Sequence, residues 1–273
     1  MTSFSGAEAS GALPQPFPFE TAYQFPDVLS ETMHFNGRLA NVVAQLAMID
    51  TARHAEERFW HPARIVRAVV NSKVEGQARV DLLQPAMDYA ADAYTGKTTS
   101  GQYERVVKGL IEHRLLSDWV EQTYDPTTLE AQQPGRAAAA AERLHARVGN
   151  SDLLVLPLCH GGLLPAIEGA AYYNRMTGRD AAMYPIRYSR TKSFDRTPKI
   201  RPEELEHIRE AAQGRTVVVY DDDTQTGRTI SRTVQHLVKN GIGEGGNLVG
   251  VVNYDRRSNR RMARQGQWFE NIA

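Results

Sequence analysis

Cysteine is nearly missing: Cys159 stands alone in 273 residues. No disulfide can close within the chain, and a reducing, cytoplasmic setting is the expectation. Long apolar runs are missing as well, so no membrane span is expected. The opening MTSFSGAEASGALPQPFPFE has no basic start and no apolar core, which argues against a secretory signal. An excess of either charge is also missing. The 32 Lys and Arg balance 32 Asp and Glu, a formal net charge of +0, which speaks against a nucleic-acid binder acting through a positive field. What remains is ordinary globular composition, long enough for one large or two small domains.

The chain reads in three parts. Residues 1–27 are rich in Gly, Ser, Ala and Pro, with Phe17, Phe19, Tyr23 and Phe25 among them. Such a segment is expected to be partly disordered, its Pro-aromatic portion packing on the body or on a partner subunit. Residues 28–135 carry helical periodicity. Leu39, Val42, Val43, Leu46, Ile49 and Ala52 fit one apolar face, and a second helix is expected after Pro62, through Ile65, Val66, Val69 and Val70. A break is expected near Glu75 and Gly76, and a third helix over Tyr103–Tyr124, with Leu115 and Trp119 on its apolar face. This part has almost no strand signal. His34, His54, His61, Arg64 and Arg67 read individually as solvated helix faces, with pocket lining as the alternative.

Residues 136–273 alternate between strand and helix patterns, which predicts a parallel α/β sheet flanked by helices. The expected order is helix Arg136–Val148, strand Leu153–Leu158, helix Leu164–Met176, strand Ala182–Tyr188, helix Glu203–Ala212, strand Thr216–Val219, a helix ending near Lys239, and strand Asn247–Tyr254.

Chemistry concentrates in RTVVVYDDDTQTGRTISRTVQHLVKNG, residues 215–241. A buried strand leads to an acidic turn, Asp221, Asp222 and Asp223. Thr224, Gln225, Thr226, Gly227, Arg228 and Thr229 follow, then a helix. A helix N-terminus offers unpaired amides and partial positive charge to a phosphate. Hydroxyls of Thr226 and Thr229 add donors, and Gly227 lets the backbone come close. The carboxylates upstream suit a vicinal diol or a cation. A diol at one end and a phosphate at the other describe ribose 5-phosphate. Two rival readings use the same acids: a phosphatase built on Asp221 and Asp223, and a metal-binding D-x-D of a sugar-nucleotide glycosyltransferase.

The stretch VVVYDDDTQTGRT resembles the 5-phosphoribosyl 1-diphosphate (PRPP) motif of type I phosphoribosyltransferases, closest to the purine-salvage branch. The resemblance covers about Arg136–Arg257. It implies that Asp221 and Asp222 contact the ribose hydroxyls and Mg²⁺, while residues Asp223 through Thr229 surround the 5-phosphate. It also implies that Cys159, His160, Gly161 and Gly162, after the first core strand, form a diphosphate loop. The polar, basic SRTKSFDRTPKI that follows Tyr188 corresponds to a mobile lid, in which Arg190 and Lys192 would stabilise departing diphosphate. Tyr254, Asp255 and Arg256 fall where the family builds its acceptor pocket.

Asp223 and Thr224 stand where the family has apolar residues, and Gln225 where the purine branch has an acid. An amide is no general base, so an acceptor with a ready lone pair is favoured. Little sequence follows the last strand, so the expectation is that the helical half supplies the acceptor-binding hood. The function this implies is a Mg²⁺-dependent transfer of phosphoribosyl from PRPP to a small-molecule acceptor, in a homodimer. The alternative is a PRPP- or nucleotide-sensing regulator with the same fold and no turnover.

Overall fold

The computed structural model describes residues 35–48, 57–122, 134–159, 161–188, 195–224, 227–243, 247–255 and 268–269. The Pro-aromatic segment, His34, Ile49, Ala52 and His54 lie outside the described residues.

The carboxy-terminal part is α/β, with a mostly parallel sheet flanked by helices. Its strands are β3 (Leu153–Cys159), β4 (Ala181–Met183), β5 (Ile186–Arg187), β6 (Thr216–Thr224), β7 (Leu248–Asp255) and β8 (Trp268–Phe269). Helices α5 (Pro134–Val148), α6 (Leu163–Thr177), α7 (Pro202–Ala211) and α8 (Arg228–Lys239) accompany them. The order across the sheet is β4-β3-β6-β7-β8, and only β8 runs antiparallel. All seven residues of β3 are buried, as a strand covered on both faces requires.

Two strands differ from expectation. The single strand expected over Ala182–Tyr188 is two short pieces. β4 pairs with Leu153–Val155 and β5 pairs with Leu158 and Cys159. Pro185 and Pro157 lack N–H groups, so the ladder has fewer donors at the gap. β6 runs five residues further than its apolar pattern, through Asp221, Asp222 and Asp223. β7 extends beside it, with Asp221 opposite Val252 and Thr224 opposite Asp255. The acids therefore sit on a strand end rather than in a turn.

The amino-terminal part contains α1 (Leu39–Met48), α2 (Glu57–Asn71), α3 (Gln77–Thr95) and α4 (Ser100–Glu112). α2 begins before Pro62 and carries that proline inside. The break expected at Glu75-Gly76 is present, with Gly76 at φ +64 just before α3. The third helix is much shorter than expected. Arg114 adopts left-handed φ 58, and a 3₁₀ turn at Leu115–Ser117 follows. Trp119–Gln122 then forms β2, antiparallel to β1 (Phe35–Arg38). Trp119 is accordingly exposed, its indole N–H donating to Asn36 Oδ1 at 2.6 Å. Strand alternation here buries Val120 and Gln122, and a glutamine does not register as an apolar position.

Gln122 is buried because it has a partner. Arg64 Nε donates to Gln122 Oε1 at 2.9 Å, Arg64 Nη1 lies 2.8 Å from His61 Nδ1, and its guanidinium stands 4.7 Å over the Phe35 ring. His61 and Arg64 are therefore buried, not solvated as their polarity suggested. Burial, with the Arg64 charge beside it, lowers the His61 pKa from 6.5 to about 3. Above pH 6.5 the ring is neutral in folded and unfolded chains alike. Between 6.5 and about 3 the unfolded chain takes a proton that the folded chain excludes, so stability falls with acid, by up to about 1.4 kcal/mol per pH unit. Thermal melts between pH 7 and 4 should show this decline, and His61→Gln should flatten it.

A single buried cluster runs from Leu39 and Trp60 through Leu156 and Val219 to Val252. The core thus crosses the boundary expected near residue 135. α3 packs on α6, α7 and β4, and α2 packs on β5. A buried polar group fastens the two parts. Arg79 on α3 pairs with Glu204 on α7 at 3.0 Å and donates to the carbonyls of Val69 and Val70. Glu204 also accepts from the Tyr184 hydroxyl at 3.1 Å and from the Arg201 backbone N–H at 3.0 Å.

Candidate active site

Strand order decides where a ligand fits. From β3 the chain crosses by α6 to β4 on one side. From β6 it crosses by α8 to β7 on the other. The crossovers diverge between β3 and β6, so the carboxyl ends of those two strands flank a crevice, the usual ligand site of an open α/β sheet.

Of the expected site residues, Cys159, Gly161, Gly162, Asp221 and Asp222 lie at those strand ends. Gly161 and Gly162 follow β3 and begin α6, with Gly162 as its N-cap. Asp221 and Asp222 are half-buried near the end of β6, and Asp222 N–H donates to Asp221 Oδ1 at 3.1 Å. The two strand ends touch. A Cβ placed on Gly161 would lie 2.5 Å from Asp222 Cγ, and one on Gly162 would lie 2.5 Å from Tyr220 O and 2.8 Å from Asp221 Cα. Glycine at both positions is what lets the turn close on the acids.

Gly227, at φ +70, caps α8 next to the same strand end, and Ser231 N–H returns to its carbonyl at 2.9 Å. Arg228 is exposed and Thr229 half-buried. Two helix starts, those of α6 and α8, thus follow the two strands that bound the crevice. His160, Arg190, Lys192, Gln225, Thr226 and Arg256 lie outside the described residues, as do the side chains of Asp223, Thr224, Tyr254 and Asp255.

No protein-family model and no curated protein matches this chain.

Geometry and electrostatics therefore carry the assignment of roles. Cys159 has no exposed surface, and burial pushes its thiol pKa up to about 12. It is a protonated packing residue, and any ligand contact it makes runs through its backbone. Beneath the acids, Tyr220 is buried, donates to Asn253 Oδ1, and is pushed to a higher pKa by burial and by the nearby Glu168 charge. Gly169 on α6 makes room for that hydroxyl, since a Cβ there would meet it at 2.5 Å. This polar pair fixes the strand under Asp221 and Asp222.

Two arginines lie near Cys159. Arg187 occupies the end of β5 directly beside Cys159 in the ladder. Arg67, on α2, lies near enough for its charge to act on the Cys159 thiol, which also feels Asp221. A basic residue at the carboxyl end of a short strand was the signal available for Arg187. Arg67 is one of the residues for which the sequence offered pocket lining as the alternative to a solvated face, one position after buried Val66 and two before buried Val69.

Proposed function

We propose that this chain is a phosphoribosyltransferase of type I architecture that moves 5-phosphoribosyl from PRPP to a nucleophilic acceptor. The observation that carries the reading is the contact of the Gly161–Gly162 turn with Asp221 and Asp222 at the sheet's topological switch point. That juxtaposition unites a diol acceptor with two helix N-termini, which suits a ligand carrying a diol between two phosphate groups.

In this reading Asp221 and Asp222 accept hydrogen bonds from the ribose hydroxyls. The start of α8, from Gly227 to Thr229, takes the 5-phosphate, and Gly161 and Gly162 take the diphosphate. The acceptor's lone pair forms a bond to the anomeric carbon as the carbon–oxygen bond to diphosphate breaks, and that bonding pair leaves with diphosphate. The chain accelerates this by holding the reactants in line and by placing carboxylates near the cationic sugar and amides near the leaving oxygens.

Among the described residues no group of three or more His, Cys, Asp or Glu could hold a metal. Mg²⁺ needs none, since it binds through one or two carboxylates together with substrate phosphates and water. The hard oxygens of Asp221 and Asp222 fit that habit, and the ion would supply positive charge to the diphosphate. The helical half, together with Tyr254, Asp255 and Arg256, is the proposed acceptor side.

The test is diphosphate release from PRPP across a panel of nitrogen and oxygen acceptors. Asp222→Asn should fold normally and lose about 100-fold in turnover, within the range for an electrostatic group at a reacting centre. Equal turnover in the variant would remove the assigned role. Phosphate release from sugar phosphates without PRPP would favour the phosphatase reading instead.

A further inference from the structure

We propose that the exposed cationic surface formed by Arg196, Lys199 and Arg232 draws the anionic phosphoribosyl donor toward the crevice by charge, without gripping it. This rests on the phosphoribosyl reading above.

A chain of net charge +0 has no overall field that attracts a polyphosphate, and Asp221 and Asp222 at the strand ends repel one. Attraction has to come from an uneven placing of the same charges. Several surface cations are cancelled locally. Lys108 pairs with Glu112, Arg201 with Glu75, Arg209 with Glu206 and Arg215 with Asp180. Seen from a distance, each such pair is close to neutral.

α8 is built differently. Its residues, Arg228–Lys239, include no Asp and no Glu. Exposed Arg232 donates through Nη1 to Arg196 O at 3.2 Å, so two exposed arginines stand side by side. A backbone carbonyl, not a carboxylate, holds them there, and their charges stay uncancelled. Lys199 follows three residues later, also exposed, and its backbone N–H donates to Arg187 O at 2.8 Å. Arg196, Lys199 and Arg232 have no carboxylate within ion-pair distance among the described residues.

Their position matters as much as their sign. Lys199 pairs with Arg187 at the end of β5, which lies in register with Cys159 at the end of β3. Arg232 lies one turn into α8, whose start adjoins the end of β6. The three cations therefore link the two sides of the crevice. A surface of one sign beside a cleft raises local substrate concentration and capture rate about 10-fold to 1,000-fold, and salt removes the effect. Such an effect depends on charge and not on donor geometry, so lysine replaces arginine freely.

The experiment titrates the full chain with PRPP by calorimetry in magnesium buffer, at about 0.02 M and about 0.3 M ionic strength. Three double variants of Arg196 and Arg232 are compared. Both to Lys should match the wild type. Both to Gln should bind about 3-fold more weakly at low salt, and both to Glu about 10-fold, the differences shrinking below about 2-fold at high salt. Arg105→Glu with Lys108→Glu on α4 changes the net charge equally and should stay near wild type. Wild-type affinity in the Glu pair at low salt overturns the proposal. So does a loss that persists at high salt or appears in the Lys pair, which marks a contact or structural role. An equal loss in the α4 control also overturns it, since the charge of the whole chain then decides. A wild type that binds PRPP equally at both ionic strengths overturns this inference and leaves the phosphoribosyl reading standing. A folded wild type that binds no PRPP overturns both. If the Glu pair melts early, the Gln and Lys pairs decide by the same criteria.

Discussion

Alanine at position 161 is expected to lower PRPP turnover about 100-fold while the chain stays folded. The added Cβ would sit 2.5 Å from Asp222 Cγ, inside the carboxylate's own space. Asp222 is short and half-buried, so its carboxylate can swing away at modest cost to the fold. It then leaves the position proposed for the ribose hydroxyls, and a displacement on the order of 1 Å in a positioning group is enough for a loss of that size. Gly162→Ala makes the contrast. There the Cβ meets Tyr220 O at 2.5 Å, Asp221 Cα at 2.8 Å and Leu158 O at 3.0 Å, all backbone. Backbone cannot rotate aside, so this variant should lose stability, about 1–3 kcal/mol as for an overpacked core. Steady-state diphosphate release and thermal melts on both variants check the pair. A stable, fully active Gly161→Ala chain would contradict the placement of Asp222.

Removing one partner of the Arg79–Glu204 pair is expected to destabilise the whole chain by about 3–5 kcal/mol. Both side chains are 3% exposed, so the survivor would be a buried charge with its main partner gone. Glu204 also accepts from Tyr184 and Arg201, and Arg79 closes the end of α2 through two carbonyls. Loss of either therefore loosens α3, α7 and the start of β5 together. Replacing both at once, Arg79→Met with Glu204→Leu, should cost less than either single change, because no charge is then stranded. Chemical denaturation of the four chains tests this. Since one core spans both halves, each chain should unfold in a single transition. Two separate transitions in the wild type would show instead that the helical half folds on its own.

Much of this was legible from residue patterns where one physical signal dominates. Apolar runs marked β3, β6 and β7, as strands of a sheet covered on both faces require. The glycines of the β3–α6 turn and Gly227 marked the helix starts. Where two signals competed, the pattern misled. Leu115 and Trp119 have helical spacing, yet left-handed Arg114 ends the helix and Trp119 lies on a strand. Asp221 and Asp222 look like a turn by composition, yet pairing with β7 holds them extended. Arg64, His61, Arg79 and Glu204 look like surface residues, because polarity predicts exposure only when no partner awaits. Gln122 lies 58 positions from Arg64 and Glu204 lies 125 from Arg79, separations no local window reads.

The central claim is that the strand ends carrying Gly161 and Asp222 bind one activated pentose phosphate. Titration of the full chain with PRPP in magnesium buffer tests it most directly. The account predicts saturable heat at one ligand per chain, with a Kd on the order of 1 μM to 1 mM, and its loss in Asp222→Asn. No heat of association at millimolar PRPP, from a chain whose melt shows it folded, would contradict it.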